Sequence, residues 1–170
     1  IKQNNFLQIN SEAARKRVMG EIRKRISSQD ARFWQLFSQS SEDDQKILLF
    51  YVCLKTYKLV FDFHFNVTLS IWNSSSNTVD AYLYKMELDE IGGSDQFVFD
   101  LSDVSKKKSI SSYLCMLREV NLLDATSNQL KSVTPSAQVL DYMIKNRELW
   151  FLDACLLSAQ TKSQLLSTAL

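Results

Sequence analysis

Two groups of cations, one of them set among small hydroxyls, equip this sequence for contact with phosphates. The first is Lys16, Arg17, Arg23 and Lys24, paired seven residues apart and preceded by Arg15. The second is Lys106-Lys107-Lys108, with Ser105, Ser109 and Ser112 around it. On a helix, residues seven apart lie two turns along one side, so the first group forms a cationic strip. An ordinary exposed helix mixes signs at i,i+4, and four like charges on one side repel unless a polyanion or an acidic partner neutralises them. A plain solvated face is the alternative. Each phosphate bound by such a strip would release counterions and steepen the salt dependence of binding. In the second group, lysines at a helix N-terminus oppose the helix dipole, which favours an external compensating charge. Serine is small enough to let a helix approach closely and can hydrogen-bond phosphates or bases.

Catalytic chemistry has little to work with. His64 is the single histidine and stands between Phe63 and Phe65, with Asp62 off its helical face. No glycine-rich phosphate loop, G-x-S-x-G turn or H-E-x-x-H helix occurs. The carboxylates Asp43 and Asp44, and Glu87, Asp89 and Glu90, fall at expected helix ends with no nucleophile beside them. Cys53, Cys115 and Cys155 form no C-x-x-C pair and each sits in an apolar helical run, so buried reduced thiols are expected. With one histidine there is no metal set. No enzyme, no cofactor, no metal and no small-molecule substrate is therefore expected.

The elements that must carry these groups are helices. Three glycines and one proline leave few break points in 170 residues. Ser11 is an N-cap for a helix to about Ile26, with Ala14, Val18, Ile22 and Ile26 as its buried stripe. A short helix over residues 30–37 carries Phe33, Trp34 and Phe37. Ser41 with Glu42, Asp43 and Asp44 starts a central helix to about Leu59, since acids favour the positive end of the dipole. Residues 60–72 alternate like a strand but also satisfy a helical stripe through Phe61, Phe65, Leu69 and Trp72. With no turn signal or partner strand nearby, helix is expected.

Residues 78–91 are expected to be helical and end at Gly92-Gly93. Residues 95–101 read as a connector packing Phe97 and Phe99. Ser102 or Asp103 then caps the basic helix, which runs to Asn121 and buries Ile110, Leu114 and Leu117. Its other side presents Ser105, Lys108, Ser109 and Ser112. Lys106 and Lys107 share the buried phase and are expected to snorkel outward. Residues 130–133 are the clearest strand and could pair with 122–125 as a hairpin, with Lys131 as its cation. Helices follow from Ser136, over 148–159 and over 164–170.

Helix, stop at Asn121 and short ribbon is the order in which a winged helix-turn-helix writes its last helix and wing. The helix before it, 78–91, is acidic and would have to face away from a duplex. Charge is blocked along the chain although the net is only +1. Residues 11–32 are basic, 80–103 acidic and 102–118 basic again, which suits faces of opposite sign. The longest apolar run, 47–54, is far short of the roughly 20 residues a membrane span needs. No charged leader with an apolar core stands at the start. A cytoplasmic protein is expected.

The order of segments resembles the BrxA family of bacterial BREX phage-defence systems. The resemblance lies in Ala13-Ala14-Arg15-Lys16-Arg17 with Ile22-Arg23-Lys24-Arg25, in Asp44-Gln45-Lys46-Ile47-Leu48-Leu49, and in Lys58-Leu59-Val60-Phe61-Asp62-Phe63. It continues in Ser105-Lys106-Lys107-Lys108 and Met116-Leu117-Arg118-Glu119-Val120-Asn121-Leu122-Leu123. It covers residues 11–155. It implies a mainly α protein, a NusB-like helical bundle with a winged helix-turn-helix element carrying a short β-hairpin wing. It also implies double-stranded DNA binding without catalysis, beside other BREX proteins. The chain departs from that pattern in its Ser74-Ser75-Ser76 linker and in a wing, 125–131, with Lys131 as sole cation. Three parts are expected: residues 1–74, a winged-helix-like 75–135, and C-terminal helices 136–170 packed on the core. Double-stranded DNA is the expected partner. The alternatives are a protein–protein adaptor docking an acidic partner, and an RNA binder using the NusB-like part.

Overall fold

Ser11, Asp30, Ser41, Asp80, Asp95 and Ser102 each accept a hydrogen bond from a backbone N–H two or three residues ahead, and a helix begins after each. These short polar side chains satisfy donors that a helix N-terminus otherwise leaves open. The computed structural model describes residues 8–169, and Leu170, the expected end of the last helix, lies outside them. The described residues are mainly helical, in the order α1 (Glu12–Ser27), α2 (Ala31–Gln39), α3 (Glu42–Thr56), α4 (Lys58–Asp62), a π-helical segment (Phe63–Thr68) and α5 (Leu69–Trp72). After a polar link come α6 (Ala81–Gly92), α7 (Gln96–Phe99), α8 (Asp103–Glu119), α9 (Ala137–Lys145), α10 (Trp150–Ala154) and α11 (Ala159–Ala169).

The hydrophobic cluster centres on α3, which buries Ile47, Leu48, Phe50, Tyr51, Val52 and Leu54. It takes in Phe33 from α2, Tyr84 and Leu88 from α6, Ile110, Tyr113 and Leu117 from α8, and Phe151 and Leu152 from α10. The helix expected to run to Leu59 breaks at Tyr57, whose backbone is extended. In α1 the expected buried stripe is weaker than its period suggests. Val18 and Ile22 are half-buried and Ile26 is half-exposed, because α1 rides on the outside of α3.

Residues 60–72 are helical, as expected, but the middle turn is widened. Its buried side chains, Phe63, His64, Val67 and Thr68, come in adjacent pairs. Such π-helical turns are uncommon and mark places where a helix gives up regularity for a particular arrangement of side chains. Here the arrangement is a buried polar chain. His64 Nε2 lies 2.9 Å from the Ala154 carbonyl, which can only accept, so Nε2 carries the hydrogen. Burial pushes the ring's pKa down to about 4, so the imidazole is neutral and Nδ1 accepts. Tyr113 Oη, 2.8 Å away, must donate to it. Thr68 Oγ1 then donates to Tyr113 at 2.7 Å and accepts from Tyr84 at 2.8 Å. One directional chain thus joins α6, α8, the π segment and the end of α10.

Two further expectations fail. The short helix α7 buries Val98 and leaves Phe97 and Phe99 exposed, at 76% and 64%, instead of packing them. Cys115 is exposed, while Cys53 and Cys155 are buried as expected. The hairpin wing is also absent as such. Among the described residues there is no strand, only the antiparallel bridges Thr78↔Gln129 and Leu123↔Leu130. Asp124 explains why. Its carboxylate accepts from Thr126 N, Ser127 N, Ser127 Oγ and Lys131 Nζ, which gathers residues 124–131 into a tight turn instead of letting them extend. Thr78 belongs to the first of these bridges, so α6 begins three residues later than its sequence pattern suggests.

Candidate nucleic-acid interface

Helix α8 is held by Ile110, Tyr113 and Leu117 on its buried side. Its opposite side presents Lys108, Ser112 and Cys115 to solvent, with Val104 and Ser111 beside them. Grooves run along both flanks. One, of about 470 Å³, lies between α8 and the Tyr57–Phe63 stretch and is lined by Ser105, Lys108, Ser109, Ser112 and Met116 together with Tyr57, Leu59 and Val60. The other, of about 540 Å³, lies between α8 and α6.

Tyr57 connects the first groove to α1. Arg25 Nε donates to Tyr57 Oη at 3.0 Å, and Lys24 Nζ stands 4.8 Å from the centre of its ring. Tyr57 in turn donates to Glu21 at 2.5 Å. Burial, and then that bond to Glu21, raises the phenol's pKa, so it stays protonated as donor. The two clusters that stand far apart in sequence therefore meet in part. Lys24 shares a helical ridge with Arg17, two turns back, and Arg23 lies on the neighbouring ridge. Arg17 and Arg23 are exposed. Through Tyr57, Lys24 and Arg25 adjoin the groove that Lys108 and three serines line.

Other expected contacts are spent within the protein. Arg15 is buried and donates to the carbonyls of Ile9 and Asn10 at 2.5 and 3.0 Å, so it anchors the segment before α1. Lys16 pairs with Glu12 one turn away, at 3.0 Å. Lys106 does not snorkel. It is 15% exposed and pairs with Asp89 of α6 at 2.9 Å, which holds the Asp89 carboxyl below its usual range. Lys131 is held at 2.5 Å by Asp124, whose own carboxyl is depressed well below the carboxylate range by that lysine and by the turn's N–H groups. Lys107 is exposed, but on the α6 flank of α8, away from Lys108. Ser105 is half-buried, with Ser102 Oγ 3.0 Å from its hydroxyl.

Two functional candidates escape a reading of the sequence. Tyr57 carries no signal because the helix break that exposes it is invisible in the periodicity. Arg118 of α8 donates to Asn128 Oδ1 at 3.2 Å, tying the helix to the turn that follows. Among the described residues no group of histidine, cysteine or carboxylate side chains could hold a metal ion, and no helix is long and apolar enough to cross a membrane.

The BrxA family model matches residues 1–147. The chain belongs to the BrxA family. Its fold is also similar to a solved structure, that of an uncharacterized protein from Magnetospirillum magneticum. The TM-score is 0.73 at 21% identity, over 89% of this chain and 79% of the other. At that identity the likeness is one of fold. No curated protein matches this BrxA chain.

Proposed function

We propose that this BrxA protein is a non-catalytic, double-stranded DNA-binding accessory of a BREX phage-defence system, and that it works in the cytoplasm. Family membership supports the BREX-associated role. The observation that carries DNA binding is the meeting at Tyr57 of the α1 cations with the lysine and serines of α8. Cations at the rim suit phosphates, and small hydroxyls let a helix come close to a groove. Isolated bridges, in place of a hairpin wing, tie the segment before α6 to the turn after α8. Residues 128–130 bond to 77–79 on one side and to 122–124 on the other, through Val79 N to Asn128 O, Leu130 N to Asn77 O and Asp124 N to Gln129 O. The NusB-like part, α1 to α5, rests on the family resemblance.

A fluorescence-anisotropy titration of duplex DNA across salt concentrations tests this. Replacing Arg23, Lys24 and Lys108 with Ala should weaken binding alike for unrelated sequences. It should also flatten the plot of log affinity against log salt by about 2 to 3 units of slope, near 0.9 per lost phosphate contact. Lys106→Ala should change little, since Asp89 already takes that charge. An unchanged slope in the triple variant refutes DNA binding at this face. Competition with RNA of the same length separates an RNA-binding role. The exposed Phe97 and Phe99 favour one second reading, an adaptor that docks another protein of the defence complex.

A further inference from the structure

The groove between α6 and α8 is not used by the face described above. Its walls are Tyr82 and Lys85 from α6 and Lys107, Ser111, Leu114 and Arg118 from α8. Tyr82 is 60% exposed, so its ring stands open to the groove. Four cations line the space, Lys85, Lys106, Lys107 and Arg118, together with one carboxylate, Asp103. A second carboxylate, Asp89, is paired with Lys106. The remainder is a net positive charge over an apolar floor. Lys85 and Lys107 make no ion pair with any described residue by the usual distance, and Arg118 spends one N–H on a neutral amide. At about 540 Å³ the space is of the size that holds small ligands.

We propose that this groove binds a nucleotide unit, with the base against Tyr82 and Leu114 and the phosphate against Arg118, one turn along α8 from Leu114. Arg118 offers a planar fork that suits a phosphate. Base–aromatic stacking tolerates any base, which fits a wall with a single ring and one serine hydroxyl. An anion without a flat apolar part leaves Tyr82 and the floor unused. An apolar ligand without charge leaves three cations unanswered. Only a ligand with both parts fills the groove.

Isothermal titration of the whole chain with deoxyadenosine monophosphate, up to about 5 mM, tests the site. Saturable binding is expected. Tyr82→Ala should weaken it about fivefold or more and Tyr82→Phe should restore it, as for a stacked base. Arg118→Ala should weaken it about tenfold or more. Pyrophosphate should bind more weakly and be indifferent to Tyr82→Ala. Competition by a single-stranded oligodeoxynucleotide assigns the site to a strand, and lack of competition assigns it to the free nucleotide. Absence of saturable binding overturns the proposal, as does a Tyr82→Ala protein with wild-type affinity. The Arg23, Lys24 and Lys108 triple variant should bind the nucleotide normally. A matching loss there places the nucleotide on the other face and also overturns the proposal, so the two sites stand or fall separately.

Discussion

The lone histidine should give this protein an acid sensitivity that no other side chain can imitate. His64 is wholly buried, with its pKa at about 4 against 6.5 when exposed, and burial is the cause. Because the folded value is depressed, the unfolded chain binds the proton more readily, so the stability His64 contributes is complete above pH 6.5 and is lost as pH falls towards 4. At pH 5 the unfolded ring is nearly all protonated and the folded ring nearly all neutral. Linkage at about 1.4 kcal/mol per pH unit over that interval gives a loss of about 2 kcal/mol between pH 7.5 and 5. For a chain of this size that corresponds to a fall of about 4 to 8 °C in Tm. Glu42, Asp89, Asp124 and Glu148 all have carboxyls held below their usual range, so they act at lower pH. The assay is thermal unfolding followed by circular dichroism at half-unit pH steps. His64→Gln supplies the control. It keeps an acceptor for Tyr113 and a donor for Ala154 but does not titrate, so its profile should be flat over the same window, from a lower starting point. A wild-type Tm that tracks the Gln variant from pH 7.5 to 5 would refute the assignment of a neutral, Nε2-protonated ring.

Two further outcomes follow from burial. Leu117 is fully buried on α8, and Leu117→Ala should cost about 3 kcal/mol in urea unfolding, through lost transfer free energy and the cavity left behind. A cost below about 1 kcal/mol would show that α8 is not seated on the core. Of the three thiols, only exposed Cys115 should react promptly with an aromatic disulfide reagent. Burial raises the pKa of both Cys53 and Cys155 and keeps them unreactive. Two fast thiols in the native protein would contradict that seating.

Helix starts were legible because the cap residue, the first-turn acids and the apolar period all fall within a few positions of one another. Ser41 with Glu42, Asp43 and Asp44 is the plainest case. What was not legible depends on residues far apart. Period alone could not show that α1 rides outside α3, so its stripe looked like core. The same limit hides the ion pair of Lys106 with Asp89, seventeen residues back, which removes a cation that local spacing offers freely. At the expected wing, the pattern of apolar residues is there in Leu122, Leu123 and Leu130, but Asp124 draws the intervening backbone into a turn. The π-helical turn left no such signature, since the adjacent pairs Phe63-His64 and Val67-Thr68, four residues apart, also fit one face of a regular helix.

The buried polar chain also bears on how the α8 face would work. A recognition surface loses affinity to whatever freedom its groups must give up on binding. Tyr113 projects from the buried side of α8 into hydrogen bonds with Thr68 and His64, and Tyr84 joins α6 to the same chain. Tyr113 and Thr68 each both donate and accept within it, so a shift of α8 relative to α6 or to the π segment leaves a buried polar group unpaired, at about 1–3 kcal/mol. The opposite side of the same helix carries Lys108 and Ser112. Those side chains therefore sit on a mount whose position is fixed by the core before any partner arrives, whereas the cations of α1, on a half-buried helix, depend on Tyr57 for theirs. If DNA is gripped at this face, α8 supplies the fixed edge and the Arg25–Tyr57–Glu21 contact sets the position of the other.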